Sequence, residues 1–245
     1  MNAPLHGITV VDLTHVLAGP FASASLRDLG ARVIKVERPG TGDDTRAFPP
    51  FKDGESAYFA ALNHGKQSLA LDLKAEADRA TFDRLLARAD VVLENFRPGT
   101  MERLGYGWAD LHPRFPRLIY GAVSGFGHTG PEAGKPAYDM VVQARGGVMS
   151  ITGEEGGPPV RVGASVGDIV AGGYPVEGGT GARSSSATAP ARAPRSTSRC
   201  WTGRSRSWNT PSPSPRRPAR RPVPPARGIR RSRPSRPSAP RTGSS

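Results

Sequence analysis

The fold of this chain is decided near its beginning, where Ile8–Glu37 read ITVVDLTHVLAGPFASASLRDLGARVIKVE. The apolar run Ile8–Leu13 is typical of a buried strand. Residues Pro20–Leu29 have helical spacing, and Gly30 is a residue that commonly ends a helix. A second apolar run, Ala31–Glu37, follows at once. The stretch therefore predicts a strand, a helix and a second strand in succession.

The same alternation continues downstream. Three further strands are predicted by the runs SLALDL (68–73), DVVLENF (90–96) and LIYGAVSGFG (118–127). Between them, Ala75–Ala89 has the apolar spacing of an amphipathic helix. Strands that alternate with helices in this way favour an α/β fold with a largely parallel sheet.

The charge of the chain is divided very unevenly. The net charge is +13 over 245 residues, but residues 1–172 hold 18 Lys and Arg against 20 Asp and Glu, a net of −2. Residues 173–245 hold 16 Arg and a single acid, Glu177, a net of +15. This break predicts a folded domain over 1–172 and a separate low-complexity tail over 173–245.

The tail allows three interpretations. It has no Leu, Phe, Met or Lys, so it cannot bury enough apolar surface to offset the ordering of its backbone and is expected to be disordered. Alternatively, it is a basic arm that binds nucleic acid. We favour a third interpretation, a frameshift, because GC-rich coding DNA translated out of frame has this composition.

The genetic code supports the frameshift hypothesis at several codons. Joining the last base of each codon to the first two of the next makes Trp201–Thr202 give Asp and Trp208–Asn209 give Glu. With GC-rich codons, the shifted frame up to Asn209 reads roughly RDGTGQGPQVDVAMLDGQVAVLEH, which has the apolar periodicity of a strand and a helix. If no single-base shift restores an open frame near residues 173–182, the hypothesis fails.

Several classes of protein are excluded or disfavoured by composition. Cys200 is the single cysteine, so no internal disulfide can form and a cysteine-based metal site is not expected; we predict no metal site. No apolar run has the length of a membrane span, and the N-terminus does not resemble a signal peptide. A cytoplasmic protein without a membrane segment is the expectation.

Candidate binding residues follow the predicted strands, at the edge where open α/β sheets bind ligands. The loop Thr14–Phe21 (THVLAGPF) opens a helix whose free N–H groups could hold an anion. Arg38 follows the second strand, and Asn95 and Phe96 end the fourth. The sequence has no GxGxxG fingerprint of a dinucleotide site. The positive side chains suited to a polyphosphate, or else scattered over the surface, are Lys66, Lys74, Arg97, Arg103 and Lys135.

Three acidic or basic side chains have competing interpretations. Glu37 ends the second predicted strand, as a ribose-binding acid does, but it is expected to be a solvated acid at a strand end. His128 is expected to be an exposed loop histidine rather than a base. Asp168 stands between Gly167 and an apolar run at a predicted helix start. An ionised, reachable carboxylate there suits a nucleophile, but spacing alone favours a helix N-cap.

Several of these segments together resemble a known family. THVLAGPF, GARVIKVERPGTGDDTR (30–46), LNHGKQSLALDLK (62–74), ADVVLENFRPGTMERLG (89–105), VSGFGHTGP (123–131) and YDMVVQARGGVMSITG (138–153) resemble, in this order, the class III CoA transferases. GASVGDIVAG (163–172) is similar to the segment that carries their catalytic aspartate. The likeness runs from about residue 5 to residue 172. It implies a Rossmann-like open parallel sheet, here incomplete because the family's later glycine-rich loop and small domain are expected beyond residue 172.

The resemblance implies a covalent mechanism at Asp168. The carboxylate would take the acyl group of an acyl-CoA as a mixed anhydride, CoA would then form an aspartyl thioester, and a carboxylic acid acceptor would take the CoA. CoA is a cosubstrate in this scheme, and no cofactor is expected to be bound permanently. The implied CoA contacts are His15, Val16, Ala18, Arg38, Leu71, Lys74, Asn95, Phe96, Arg103 and Tyr138.

The resemblance also bears on the alternatives. Racemases of the family have a histidine where this chain has Tyr138, a poor base at neutral pH, so transfer is favoured over α-methylacyl-CoA racemisation. Leu17 replaces a glutamine of formyl-CoA transferase, which argues against a formyl or oxalyl substrate. Intact members form interlocked homodimers, and this chain is predicted to be poorly folded and inactive without its family's C-terminal part. A basic arm would bind nucleic acid without sequence specificity.

Overall fold

A computed structural model of the chain describes residues 3–173 and the backbone of one later strand, Arg195–Arg199. The strands are β1 Thr9–Asp12, β2 Arg32–Glu37, β3 Phe51–Lys52, β4 Glu55–Ser56, β5 Gln67–Ala70, β6 Val91–Glu94, β7 Ile119–Ser124 and β8 Arg195–Arg199. The helices are α1 Ala18–Asp28, α2 Ala57–Asn63, α3 Glu76–Leu86, α4 Thr100–Leu104, α5 Trp108–Arg114, α6 Asp139–Arg145 and α7, described over 166–173. Short 3₁₀ helices lie at Asp44–Ala47 and Val148–Ile151.

The main sheet is parallel throughout, with the strand order β5-β2-β1-β6-β7-β8. The five strands predicted before residue 128 are all present, so the predicted α/β fold with an open parallel sheet is confirmed. Sequence periodicity did not identify the β3–β4 hairpin or α2, because these elements are short and have few buried residues.

The order of the strands creates a crevice beside β1. From β1 the chain passes through α1 to β2 and β5 on one side, and then returns to build β6 and β7 on the other side. The loops that leave β1 and β6 therefore turn in opposite directions at the carboxyl edge of the sheet. In open α/β folds this switch point is where ligands bind.

The central strands β1, β2, β6 and β7 are buried on both faces, as their continuous apolar runs predict. Successive residues of β1 point to opposite faces, so Val10 packs with Leu26 of α1 while Val11 packs with Phe82 of α3 and with Tyr120 of β7. The two apolar layers fix the position of each strand along its own axis. They thereby fix where the loops at the carboxyl edge begin.

The predicted tail lies outside the described residues except for β8. The backbone of β8 pairs in parallel with β7, with Arg195 beside Tyr120 and Arg199 beside Ser124. All residues up to 173 belong to one compact unit, and the predicted division at 172/173 stays a prediction. Among the described helices, none combines the length and the apolar character that crossing a membrane requires.

Candidate active site

The loop after β1 is tied to the loop after β6 by a pair of hydrogen bonds. The backbone N–H of His15 donates to Oδ1 of Asn95 at 2.7 Å, and the Asn95 amide donates to the His15 carbonyl at 2.8 Å. The His15 ring lies 5.0 Å from the Phe96 ring, centroid to centroid. Burial lowers the pKa of His15, so the imidazole is neutral at pH 7. Three of the predicted contact residues thus meet at the switch point.

The next residue in that loop, Val16, has a left-handed backbone. Its φ is +65°, a conformation that costs a residue with a Cβ about 1–2 kcal/mol. Its N–H points at Oδ1 of Asp43, 3.3 Å away. Asp43 in turn forms an ion pair with Lys35 at 2.9 Å, and both side chains are buried. Lys35 also donates to the Thr14 carbonyl at 2.7 Å.

A second buried ion pair lies beneath the start of α1. The Lys66 ammonium lies 3.1 Å from Oδ2 of Asp12 and donates to the Pro20 carbonyl, to Ser23 and to Asn63. Burial alone would raise the pKa of Asp12, but the nearby lysines and hydroxyl donors lower it to about 2. Lys66 was predicted either to suit a polyphosphate or to be surface charge, and neither holds because its ammonium is buried and fully used inside the protein.

Asp168 lies in the first turn of α7 beside a second carboxylate. The backbone N–H of Gly167 donates to Oδ1 of Asp139 at 2.8 Å, and Gln143 donates to Oδ2 of Asp139 at 2.6 Å. Burial and the charge of Asp139 raise the pKa of Asp168 to about 6. Asp168 is inside the helix, which begins at residue 166, so it is not the N-cap that spacing alone favoured.

A close backbone contact joins α7 to α1. An ideal Cβ placed on Gly172 would lie 2.0 Å from the Ala18 carbonyl oxygen, so only glycine allows this approach. Ala18 itself is buried at the start of α1. The helix that carries Asp168 is therefore packed against the end of the loop that carries His15 and Val16.

Tyr58 and Asp139 were not identified from the sequence. Burial and the charges of Asp168 and Asp43 raise the pKa of Tyr58, which places its phenol within electrostatic range of both carboxylates. The Tyr58 ring also lies 5.8 Å from the ring of Phe48. A single tyrosine on a seven-residue helix has no spacing that signals a site, so only the tertiary structure reveals it.

The remaining predicted contacts fall into an exposed group and a buried residue. Arg38 forms an exposed ion pair with Asp44 at 3.0 Å. Tyr138, just before α6, is 78% exposed, and the other exposed members of the group are Lys74 and Arg103. The Leu71 side chain, in contrast, packs in the core next to β2, which leaves no side-chain surface for a ligand.

Two further expectations about single residues are wrong. Glu37 is not solvated, because it accepts hydrogen bonds from Arg46 and Ser68 and is almost fully buried. His128 is not exposed, because its ring is buried with Nε2 3.7 Å from Oε1 of Glu94. Each residue has a partner on another strand of the sheet, Ser68 for Glu37 and Glu94 for His128, which no local pattern reports.

Comparison with known proteins agrees with this geometry. The model of CoA-transferase family III matches residues 5–182. The chain belongs to CoA-transferase family III. The resemblance that the sequence motifs carried is therefore confirmed.

Several relatives of this family III chain are named as CoA-transferases, and each name gives an acyl-CoA and a second acid. It is 54% identical over 172 residues to an acetyl-CoA:oxalate CoA-transferase of Acetobacter aceti, covering 70% of this chain and 44% of that protein. It is 46% identical over 172 residues to a human succinyl-CoA:glutarate CoA-transferase, covering 70% and 39%. The chain thus spans less than half the length of these curated relatives.

Solved structures of the family share the fold of the family III chain. A CAIB/BAIF family protein from Brucella suis has 45% sequence identity and a TM-score of 0.67, covering 70% of this chain and 47% of that one. A Mycobacterium tuberculosis protein has 37% identity and a TM-score of 0.73, covering 82% and 56%. The open parallel sheet described above is the fold of these relatives.

Proposed function

We propose that this family III chain is the front part of an enzyme that moves CoA between an acyl-CoA thioester and a carboxylic acid, with Asp168 as the nucleophile. The observation that carries the proposal is the half-buried Asp168 carboxylate beside Asp139, next to the loop that His15 and Asn95 hold. Relatives named for acetyl-CoA and oxalate, or for succinyl-CoA and glutarate, support this reaction class.

The chemistry follows from the carboxylate. Asp168 attacks the thioester carbonyl, the C–S bond breaks, and CoA leaves as the thiolate, which yields a mixed anhydride between Asp168 and the acyl group. The thiolate then attacks the aspartyl carbonyl, releases the donor acid as a carboxylate and forms an aspartyl-CoA thioester. An acceptor carboxylate repeats the two steps in reverse order and restores Asp168. The free energy of thioester hydrolysis is conserved in the enzyme-bound anhydride and thioester throughout.

The raised pKa suits this nucleophile. With a pKa of about 6, roughly nine-tenths of Asp168 is ionised at pH 7. A carboxylate with a higher pKa is a stronger nucleophile than an ordinary aspartate, provided that it is ionised. Partial burial also removes water, which would hydrolyse the anhydride.

CoA would bind along the carboxyl edge of the sheet. His15 and Phe96 offer a ring surface, and the start of α1 offers free N–H groups. The exposed cations Arg38, Lys74 and Arg103 are available for phosphates at this edge. CoA is a substrate here, so no permanently bound cofactor is part of the proposal.

The C-terminal region of the chain raises two further questions, its reading frame and the assembly of the protein. The shifted reading places VDVAM across codons 195–200, the same stretch in which β8 pairs with β7. An apolar sequence at this position is what a parallel strand buried on both faces requires. We propose a frameshift in the tail, and a homodimeric, cytoplasmic enzyme for the frame-restored protein.

The test is to trap the covalent intermediate. The frame-restored protein, mixed with an acyl-CoA and treated with hydroxylamine, is expected to carry a hydroxamate on the peptide that contains Asp168, seen by mass spectrometry. Asp168→Asn is the control and is expected to carry none. Labelling of another residue, or unchanged transfer in Asp168→Asn, contradicts the proposal. Exchange of the α-proton of a 2-methylacyl-CoA in D₂O, without CoA transfer, would instead indicate a racemase.

A further inference from the structure

Four buried charged side chains lie under the loop that leaves β1, and they balance one another. Asp12 pairs with Lys66, and Asp43 pairs with Lys35. All four side chains are at most 2% exposed. The first pair supports the start of α1. The second pair touches the loop itself, because Lys35 donates to the Thr14 carbonyl and Asp43 faces the N–H of Val16.

Asp43 is itself held rigidly. Its Oδ1 accepts from the N–H of Thr45 at 3.0 Å and from the Thr45 hydroxyl at 2.8 Å, and its own N–H donates to Glu37 at 3.0 Å. Its Oδ2 lies against the Lys35 ammonium. A carboxylate held by three contacts, on a backbone that is itself bonded to Glu37, can fix a further group, the N–H of Val16.

Val16 needs such a constraint. A β-branched residue with φ of +65° is a conformational outlier, and strain of this kind persists only where the surroundings impose it. The residues on either side of Val16 are His15, bound to Asn95, and Leu17, which has a negative φ of −128°. Among the described residues of this loop, the positive φ is confined to Val16.

We propose that Asp43, held by Lys35, is a positioning residue that keeps Val16 in its left-handed conformation and so sets the shape of the CoA-binding loop His15–Ala18. This inference rests on the proposed function for its ligand, CoA. Its structural part, the constraint on Val16, stands without CoA. The Lys35–Asp43 pair then acts on CoA affinity without touching CoA.

The experiment removes the constraint without leaving a buried charge. Lys35→Met with Asp43→Ala, in the full chain, is expected to speed amide hydrogen exchange of residues 14–18 at least tenfold and to weaken CoA binding about tenfold by calorimetry. Adding Val16→Gly is expected to restore most of both, because glycine adopts positive φ without help. Leu17→Gly, the matched control, is expected to restore neither.

A second variant covers the case in which the double variant does not fold. Val16→Pro fixes φ near −65° and removes the N–H, so in the presence of the intact ion pair it is expected to weaken CoA binding at least tenfold. Unchanged CoA affinity of Val16→Pro, unchanged exchange in the double variant, or equal rescue by Leu17→Gly overturns the inference. If neither the unmodified chain nor the frame-restored protein binds CoA, the proposed function fails, and the exchange measurement alone decides the constraint on Val16.

Discussion

Asp139 accepts a hydrogen bond from the backbone N–H of Gly167 at 2.8 Å, and this bond holds its carboxylate beside the residue that follows, Asp168. The two carboxylates come from different helices. Burial, together with the charge of Asp139, raises the pKa of Asp168 to about 6. A structural hydrogen bond thus contributes to the acidity of the proposed nucleophile, because it holds the second charge in place.

The first prediction concerns the pH dependence of transfer. Because Asp168 must be ionised to attack, kcat/KM is expected to fall about tenfold per pH unit below about pH 6. Asp139→Asn removes the neighbouring negative charge and is expected to move this acid limb down by roughly half a unit. Initial rates between pH 4.5 and 8 measure it, and an acid limb that moves upward would rule out a repulsive role for Asp139.

The second prediction concerns stability. The pKa of Asp168 is higher in the folded chain than the usual 3.8, so the ionised form weakens the fold progressively as the pH rises from about 4 to 6. Asp168→Asn is expected to raise the free energy of unfolding by about 1–2 kcal/mol at pH 8, reduced for its partial exposure, and by almost nothing at pH 4. Urea unfolding at the two pH values checks this, and an equal effect at both would contradict it.

The third prediction concerns the bond between the two loops. Asn95→Ala removes both hydrogen bonds to the His15 backbone and is expected to lower the free energy of unfolding by about 1–3 kcal/mol and to weaken CoA binding. Gln67→Ala, which removes an exposed hydrogen bond to Arg32, is the control and is expected to change stability by less than about 0.5 kcal/mol. Equal effects of the two substitutions would show that the His15–Asn95 contact contributes little.

The fourth prediction concerns the buried Lys66. Lys66→Met leaves Asp12 as an unpaired buried charge, at a cost of about 3–5 kcal/mol. In the parent chain the low pKa of Asp12, about 2, stabilises the fold above pH 4, and this contribution is lost as the pH falls through 2. Urea unfolding at pH 7 measures the loss. The exposed Lys52→Met is the control, and a similar small effect in both would contradict a paired Asp12.

The fifth prediction concerns the gene. The DNA across codons 165–190 is expected to contain a point at which a single-base shift opens a frame that encodes the apolar strand VDVAM across codons 195–200. Sequencing of that region with its downstream flank decides the matter. A stop codon in the shifted frame before codon 195 would end the frameshift hypothesis.

Local sequence was sufficient for much of the fold. Strands such as Ile8–Leu13 and Asp90–Phe96 were predicted within two residues of β1 and β6, because strands buried on both faces must be continuous apolar runs. Motif similarity also led to the prediction of Asp168 as the nucleophile, which stays a prediction. The absence of Leu, Phe and Met after residue 172 was also visible without a structure.

Only the tertiary structure could show which distant groups meet. Lys66 and Asp12 are 54 residues apart, yet they form an ion pair. Asp139 lies 29 residues before Asp168, yet its charge helps to raise the pKa of Asp168. The left-handed backbone of Val16 is likewise invisible in sequence, since valine does not favour it. Periodicity records which face of an element is buried, whereas pairing, pKa and strain depend on the groups that other elements bring to the same place.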